Sequence, residues 1–174
     1  MQENGEVKEL SLIDALIHAH QYRGLSGELP TQDVAVLRLL LAVLQTVVYR
    51  YDADGNEGEL VETEDAYQGW EEIGNEGKLP EKPIREYLAK WKERFYLYDS
   101  NRPFYQVPKA AIGTECKAAK LNGEISESSN KLRLFSNRAG KEKKFLSDSE
   151  AARWLLYLNG YDDTSAKPKQ KGLP

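Results

Sequence analysis

The chain has 174 residues, of which 40% are apolar and 30% charged, with a formal net charge of −4. That much apolar material supports a folded core and excludes a wholly disordered chain. No apolar run approaches the roughly 20 residues that cross a bilayer, since the longest, Val34 to Val48, is interrupted by Arg38 and Gln45. Residues Met1 to Glu6 lack the cationic and apolar regions of an export signal, so a cytoplasmic location is expected. Cys116 is the only cysteine, which excludes an internal disulfide and a cysteine-rich zinc site. His18 and His20 would point about 200° apart on a helix and could not share a metal ion, so no metal or cofactor is expected.

The charge is unevenly distributed. From Lys109 onward there are 13 basic and 8 acidic residues, net +5, whereas positions 1 to 108 carry net −9. Such asymmetry suggests different partners for the two halves, although surface charge also fluctuates along any chain.

Glu6 to Leu10 reads as a short strand or extended lead-in. Ser11, with Asp14 three residues on, has the pattern of a capping box. The helix it opens is predicted over Leu12 to Arg23, with Leu12, Ala15, Leu16 and Ala19 on one apolar stripe and a stop at Gly24. Thr31 or Asp33 begins a second helix, Val34 to Tyr51, apolar over most of its circumference and therefore expected to be the buried central helix. Its exposed side would carry Arg38 and Gln45. The acidic run from Tyr51 to Glu59 resembles a calcium loop only faintly, because the twelfth position counted from Asp52 is Thr63 where a bidentate Glu is needed. A solvated, flexible turn is the better reading.

Glu64 to Gly74 forms an amphipathic helix with Tyr67, Trp70 and Ile73, ended by Gly74 and Gly77. Pro83 fits the first turn of a helix predicted over Ile84 to Tyr98. Its stripe of Ile84, Tyr87, Leu88, Trp91, Phe95 and Tyr98 reads as core. Asn101 to Pro108 is expected to be extended between its prolines. Residues 109 to 130 read as loop, with a turn of helix near Ala118 to Leu121. Lys131 to Ser136 alternates as a strand does. Ser147 caps a last helix, Asp148 to Leu158, with Ala151, Trp154, Leu155 and Leu158 inward. The tail from Ala166 to Pro174 is polar, basic and expected to be mobile. These elements imply an α+β fold, predominantly helical with a minor sheet.

There is no nucleophile elbow, Walker loop, dinucleotide-binding glycine fingerprint or His-Glu metal motif. The carboxylates show no spacing that converges two of them as acid and base, so no catalytic residue is assigned and an enzyme is not expected. The run NKLRLFSNRAGKEKK, Asn130 to Lys144, is more informative: six cations and one acid surround Phe135 and two asparagines. Cations contact phosphates, a ring stacks on a base and amides read base edges. A solvated hairpin kept soluble by its lysines has the same composition, and both readings stand at this level.

Several stretches, in order, resemble the CasA family, the large subunit of the type I-E CRISPR surveillance complex Cascade. They are Glu9 to His20, Leu25 to Asp33 leading into the apolar helix, Arg102 to Val107 with its Pro-Phe-x-Gln element, Asn130 to Asn137, Glu150 to Leu156 and Tyr161 to Asp163. The resemblance implies an N-terminal domain over 1–163, mixed α/β and mostly helical, followed by a flexible basic tail over 164–174 that leads toward a missing glycine-rich loop. It further implies a non-catalytic subunit that contributes to CRISPR RNA and target DNA binding and to recognition of the protospacer-adjacent motif. The implied partners are other Cascade subunits, CRISPR RNA, target double-stranded DNA and a helicase-nuclease recruited after target binding. RNA pairing reads the sequence while protein contacts test a short duplex motif and the phosphate path.

By position, Phe135, Ser136 and Asn137 match the family's mobile nucleic-acid loop. Lys141, Lys143 and Lys144 extend that loop with positive charge; Asn130, Lys131, Arg133 and Arg138 join the candidate nucleic-acid-binding residues through the composition of the run, and Lys167, Lys169 and Lys171 continue the basic character in the tail. The family's opening strand with its Trp-x-Pro-Val element and everything after the tail are missing, so a fragment is expected and independent DNA recognition is in doubt. A helical protein-interaction module without nucleic-acid binding would also account for the acidic first half. A small hydrolase using unrecognised carboxylates is a third reading.

Overall fold

The structure is a computed structural model that describes residues 1–2, 4–58, 63–109, 117–122 and 138–161; the side chains of Lys120 and Lys143 fall outside that description. The chain divides into two compact units, Met1–Lys92 and Glu93–Pro174. Met1–Lys92 holds 9 basic and 18 acidic residues and Glu93–Pro174 holds 15 and 10, so the division of charge falls on the division of structure. The described residues are mainly helical, as the sequence predicts. Among them there is no strand, only an isolated antiparallel bridge between Tyr51 and Glu57. The strand expected over Lys131 to Ser136 and the tail from Ala166 lie outside the described residues.

In the first unit, α1 (Leu12–Ile17) starts where its cap predicts. The Ser11 hydroxyl accepts from the Asp14 amide at 3.1 Å and donates to the Asp14 carboxylate at 2.7 Å. It ends earlier than Arg23, however, at His18, and the chain passes through a 3-10 turn, Ala19–Gln21. The stripe shifts accordingly: Leu16 and Ile17 are buried and Ala19 is exposed. Glu6 to Leu10 is irregular.

Helix α2 (Pro30–Arg50) starts before both expected residues, because Pro30 occupies its first position, where a missing N–H costs nothing. Two side chains of its first turn reach back over the preceding loop: Asp33 Oδ1 accepts from the Gly27 amide at 2.6 Å and Gln32 Oε1 from the Glu28 amide at 3.1 Å. The helix is not buried all round. It packs against α3 (Thr63–Glu76) and α4 (Glu81–Lys90), and its buried residues are Gln32, Ala35, Val43, Leu44 and Val47. Val34, Leu37 and Leu41 remain 45%, 56% and 47% exposed beside Arg38 and Gln45. Among the described residues α2 is the one helix long and apolar enough to cross a membrane, by length and composition only.

The acidic run after α2 is a tight turn. Asp52 accepts from the amide and side-chain nitrogens of Asn56 at 2.8 and 3.0 Å, and these contacts hold its carboxyl below the usual range. Gly55 turns the chain with φ +78°, where a Cβ would stand 3.0 Å from Glu86 Cγ. Cations from α4 face this turn, Lys90 pairing with Glu57 and Lys82 with Asp54. Helix α3 runs through Gly74 and stops at Gly77, whose left-handed φ of +67° closes the helix with a bond from its amide to the Ile73 carbonyl. Tyr67 points to solvent.

Helix α4 buries Pro83, Ile84 and Leu88, with α1 and α2 packed on it. It ends at Lys90, well short of Tyr98. Trp91 leaves the helical region and a 3-10 turn, Lys92–Phe95, follows. Of the predicted stripe, Ile84 and Leu88 are buried, Tyr87, Trp91 and Phe95 are half-buried and Tyr98 is exposed.

In the second unit, the Pro103-Phe-Tyr-Gln106 segment is folded back on itself and is not extended. Phe104 is buried, its ring 5.8 Å from that of Phe95, and its amide donates to the Tyr96 carbonyl at 2.8 Å. Tyr105 adopts φ +54°, and the Gln106 side-chain amide donates to the Leu97 carbonyl at 2.8 Å, closing the turn. A left-handed non-glycine residue is uncommon, and here the buried ring and the glutamine bond fix it. α5 (Ala118–Leu121) lies where the sequence places it and packs on α6 (Asp148–Tyr161). In α6 Trp154 and Leu156 are buried, while Ala151, Leu155 and Leu158 are less so, and the inward face is turned slightly from the predicted one.

Candidate nucleic-acid interface

The described part of the basic run begins at Arg138. The N-terminus of α6 fixes its far end through a complete capping box: Ser147 Oγ accepts from the Glu150 amide at 3.3 Å, and Glu150 Oε2 accepts from the Ser147 amide at 2.7 Å. The second oxygen of Glu150 is 2.9 Å from Arg138 Nη2, and Arg138 Nη1 donates to the Glu142 carbonyl at 3.1 Å. The Ser147 amide and hydroxyl, with Arg138, hold the Glu150 carboxyl below its usual range against the opposing effect of burial.

Only 7% of the Arg138 side chain is exposed. It fastens the segment 138–150 from beneath and does not face solvent, so it leaves the set of phosphate-contacting residues in which the sequence places it. Composition could not separate it from its neighbours, because its partner lies 12 residues away.

Above this brace the chain makes a 3-10 turn, Gly140–Lys143, entered through Ala139 and with Gly140 at φ +51°. The Lys144 and Phe145 amides both donate to the Lys141 carbonyl, at 2.9 and 3.2 Å. Lys141 and Lys144 are exposed, and Glu142 is exposed between them. Lys143 contributes its backbone to the turn. Phe145, which the sequence reading passes over, is 68% exposed directly after these cations. The signal that could have found it is a ring adjoining lysines and outside the cap. The other predicted residues, Asn130, Lys131, Arg133, Phe135, Ser136, Asn137, Lys167, Lys169 and Lys171, lie outside the described residues.

The first unit contains a cleft of about 490 Å³ whose lining includes His18, His20, Tyr51, Asp52, Glu72 and Lys82. Burial pushes the Tyr51 hydroxyl above its usual range, and Glu57 adds to the shift. Among the described residues no three His, Cys, Asp or Glu side chains converge as a metal site.

Helical folds like this one occur among solved structures. The chain superposes on the crystal structure of Thermobifida fusca Cse1 with a TM-score of 0.66 and 29% identity, covering 93% of this chain and 28% of that one. It matches a chain of a structure described as a CRISPR RNA-guided surveillance complex, pre-nicking, with a TM-score of 0.62, covering 86% of this chain and 29% of that one; at 22% identity this likeness concerns the fold alone. The CasA/Cse1 protein of Thermus thermophilus is 29% identical over 154 residues. These span 88% of this chain and 28% of that protein, so the chain corresponds to little more than a quarter of the curated relative's length. Residues 1–172 match the family of CRISPR-associated protein Cse1, and the chain belongs to that family.

Proposed function

We propose that the chain is a non-catalytic subunit of a CRISPR RNA-guided surveillance complex. In this reading it contributes to CRISPR RNA and target DNA binding and to recognition of the protospacer-adjacent motif, next to other Cascade subunits and upstream of a recruited helicase-nuclease. Family membership supports the assignment to the complex. The observation that carries the nucleic-acid part is the braced turn that holds Lys141 and Lys144 at the surface of a unit whose net charge is +5. The basic residues outside the described part, from Asn130 to Asn137 and Lys167 to Lys171, would lengthen the phosphate path. Contacts of this kind position a protein on nucleic acid without reading its sequence.

A second reading, a protein-interaction module without nucleic-acid binding, is favoured by the exposed stripe of Val34, Leu37 and Leu41 on α2. Co-assembly separates the two. The chain, mixed with CRISPR RNA-loaded backbone subunits that lack their large subunit, is expected to co-elute with them. Ribonuclease treatment or a Lys141→Glu, Lys144→Glu variant is expected to weaken that association. Association that survives both treatments unchanged would favour the interaction module, and no association would refute the assignment to the complex.

A further inference from the structure

We propose that Phe145 is a base-stacking residue, its ring receiving an unpaired nucleotide whose phosphates lie toward Lys141 and Lys144. The proposal rests on the nucleic-acid reading above and names the chemistry of the same turn.

Three observations carry it. The first is exposure: the ring is 68% open to water, so its face is accessible to a partner. The second is rigidity. The Phe145 amide is tied to the Lys141 carbonyl at 3.2 Å, and the turn is braced by Arg138 on the Glu142 carbonyl at 3.1 Å and on Glu150 at 2.9 Å. The backbone below the ring is thus already ordered, which lowers the entropy cost of stacking. The third is charge. Lys141 and Lys144 are exposed within four residues of the ring in sequence, and residues 141 to 144 hold three cations and one acid. Phosphate contacts from these cations tolerate any strand, so a preference for a base has to come from the ring.

Aromatic stacking on a base tolerates any base identity and is available only where the base is not already stacked in a duplex. The ligand is therefore an unpaired nucleotide, in RNA or in a displaced DNA strand. Tyr98, also exposed, donates its hydroxyl to Asp148 at 2.8 Å, three residues beyond Phe145, and so keeps a second ring by the same helix cap.

The test uses the full chain and three labelled strands of equal length and charge: oligoadenylate RNA, its DNA counterpart and an abasic strand. The wild-type chain is expected to bind the base-bearing strands roughly tenfold more tightly than the abasic one. Phe145→Ala should remove that preference while leaving abasic binding unchanged, and Phe145→Trp should keep it. The RNA and DNA arms identify which strand is the source. A base preference that persists in Phe145→Ala, or absence of the preference in the wild type, overturns the stacking role. The Lys141→Glu, Lys144→Glu variant tests the underlying reading separately: if it binds all three strands as tightly as the wild type, the phosphate reading fails whatever Phe145 does.

Discussion

Replacing Glu150 by Ala is expected to destabilise the second unit by about 3 kcal/mol, the lower end of the range for breaking a buried ion pair. The lower end applies because the Glu150 side chain keeps 30% exposure while that of Arg138 keeps 7%. One substitution removes both the carboxylate facing a buried guanidinium and the acceptor that caps α6 at the Ser147 amide. Glu150→Gln should cost less, since Gln still completes a capping box. Combining it with Arg138→Met should recover part of the loss, because the buried cation then goes too. Urea unfolding followed by the emission of Trp154, the only tryptophan in Glu93–Pro174, measures each variant.

Acid should reproduce the effect. The folded Glu150 carboxyl titrates below its unfolded value of about 4.3. Its contribution is therefore complete above the unfolded value and is lost as pH falls through the folded one. Stability of the second unit that does not change across that window in the wild type, or an unchanged midpoint in Glu150→Ala, would contradict the brace.

Ile84→Ala should cost the first unit about 2 to 5 kcal/mol. Ile84 is fully buried in α4, the helix that packs against both α1 and α2, so its truncation opens a cavity in the core of this unit. The contrast is Leu37→Ala, a change of similar chemistry in α2, the longest apolar helix among the described residues. Leu37 is 56% exposed, and the expected loss is below about 1 kcal/mol. Equal losses at the two positions would mean that α2 is enclosed on all sides, as its composition alone suggests.

What could be read from the residues was what is local. Ser11 with Asp14, and Ser147 by itself, located two helix starts, because a cap is a contact between neighbours in the chain. Gly77 located a helix end for the same reason. The lengths of α1 and α4 were misjudged because the apolar period continues past Ile17 and Lys90 while the backbone tightens into 3-10 turns. A period in side chains does not specify the backbone that carries it. The bend at Phe104 depends on Gln106 reaching Leu97 across the segment, and the inward turn of Arg138 depends on Glu150. Such pairings are tertiary, and composition averages over them. The exposed stripe on α2 was illegible for a similar reason, since an apolar helix shows which residues could be buried but not how many neighbours are present to bury them.

The salt dependence of duplex DNA binding tests most directly whether the turn after Arg138 offers its lysines to phosphates. Each phosphate contact contributes about 0.9 to the slope of log affinity against log salt, so Lys141→Glu, Lys144→Glu should flatten that slope by about two. An Arg138→Lys variant, altered beneath the turn, should leave the slope unchanged. Identical slopes for the wild type and the double variant would contradict the interface.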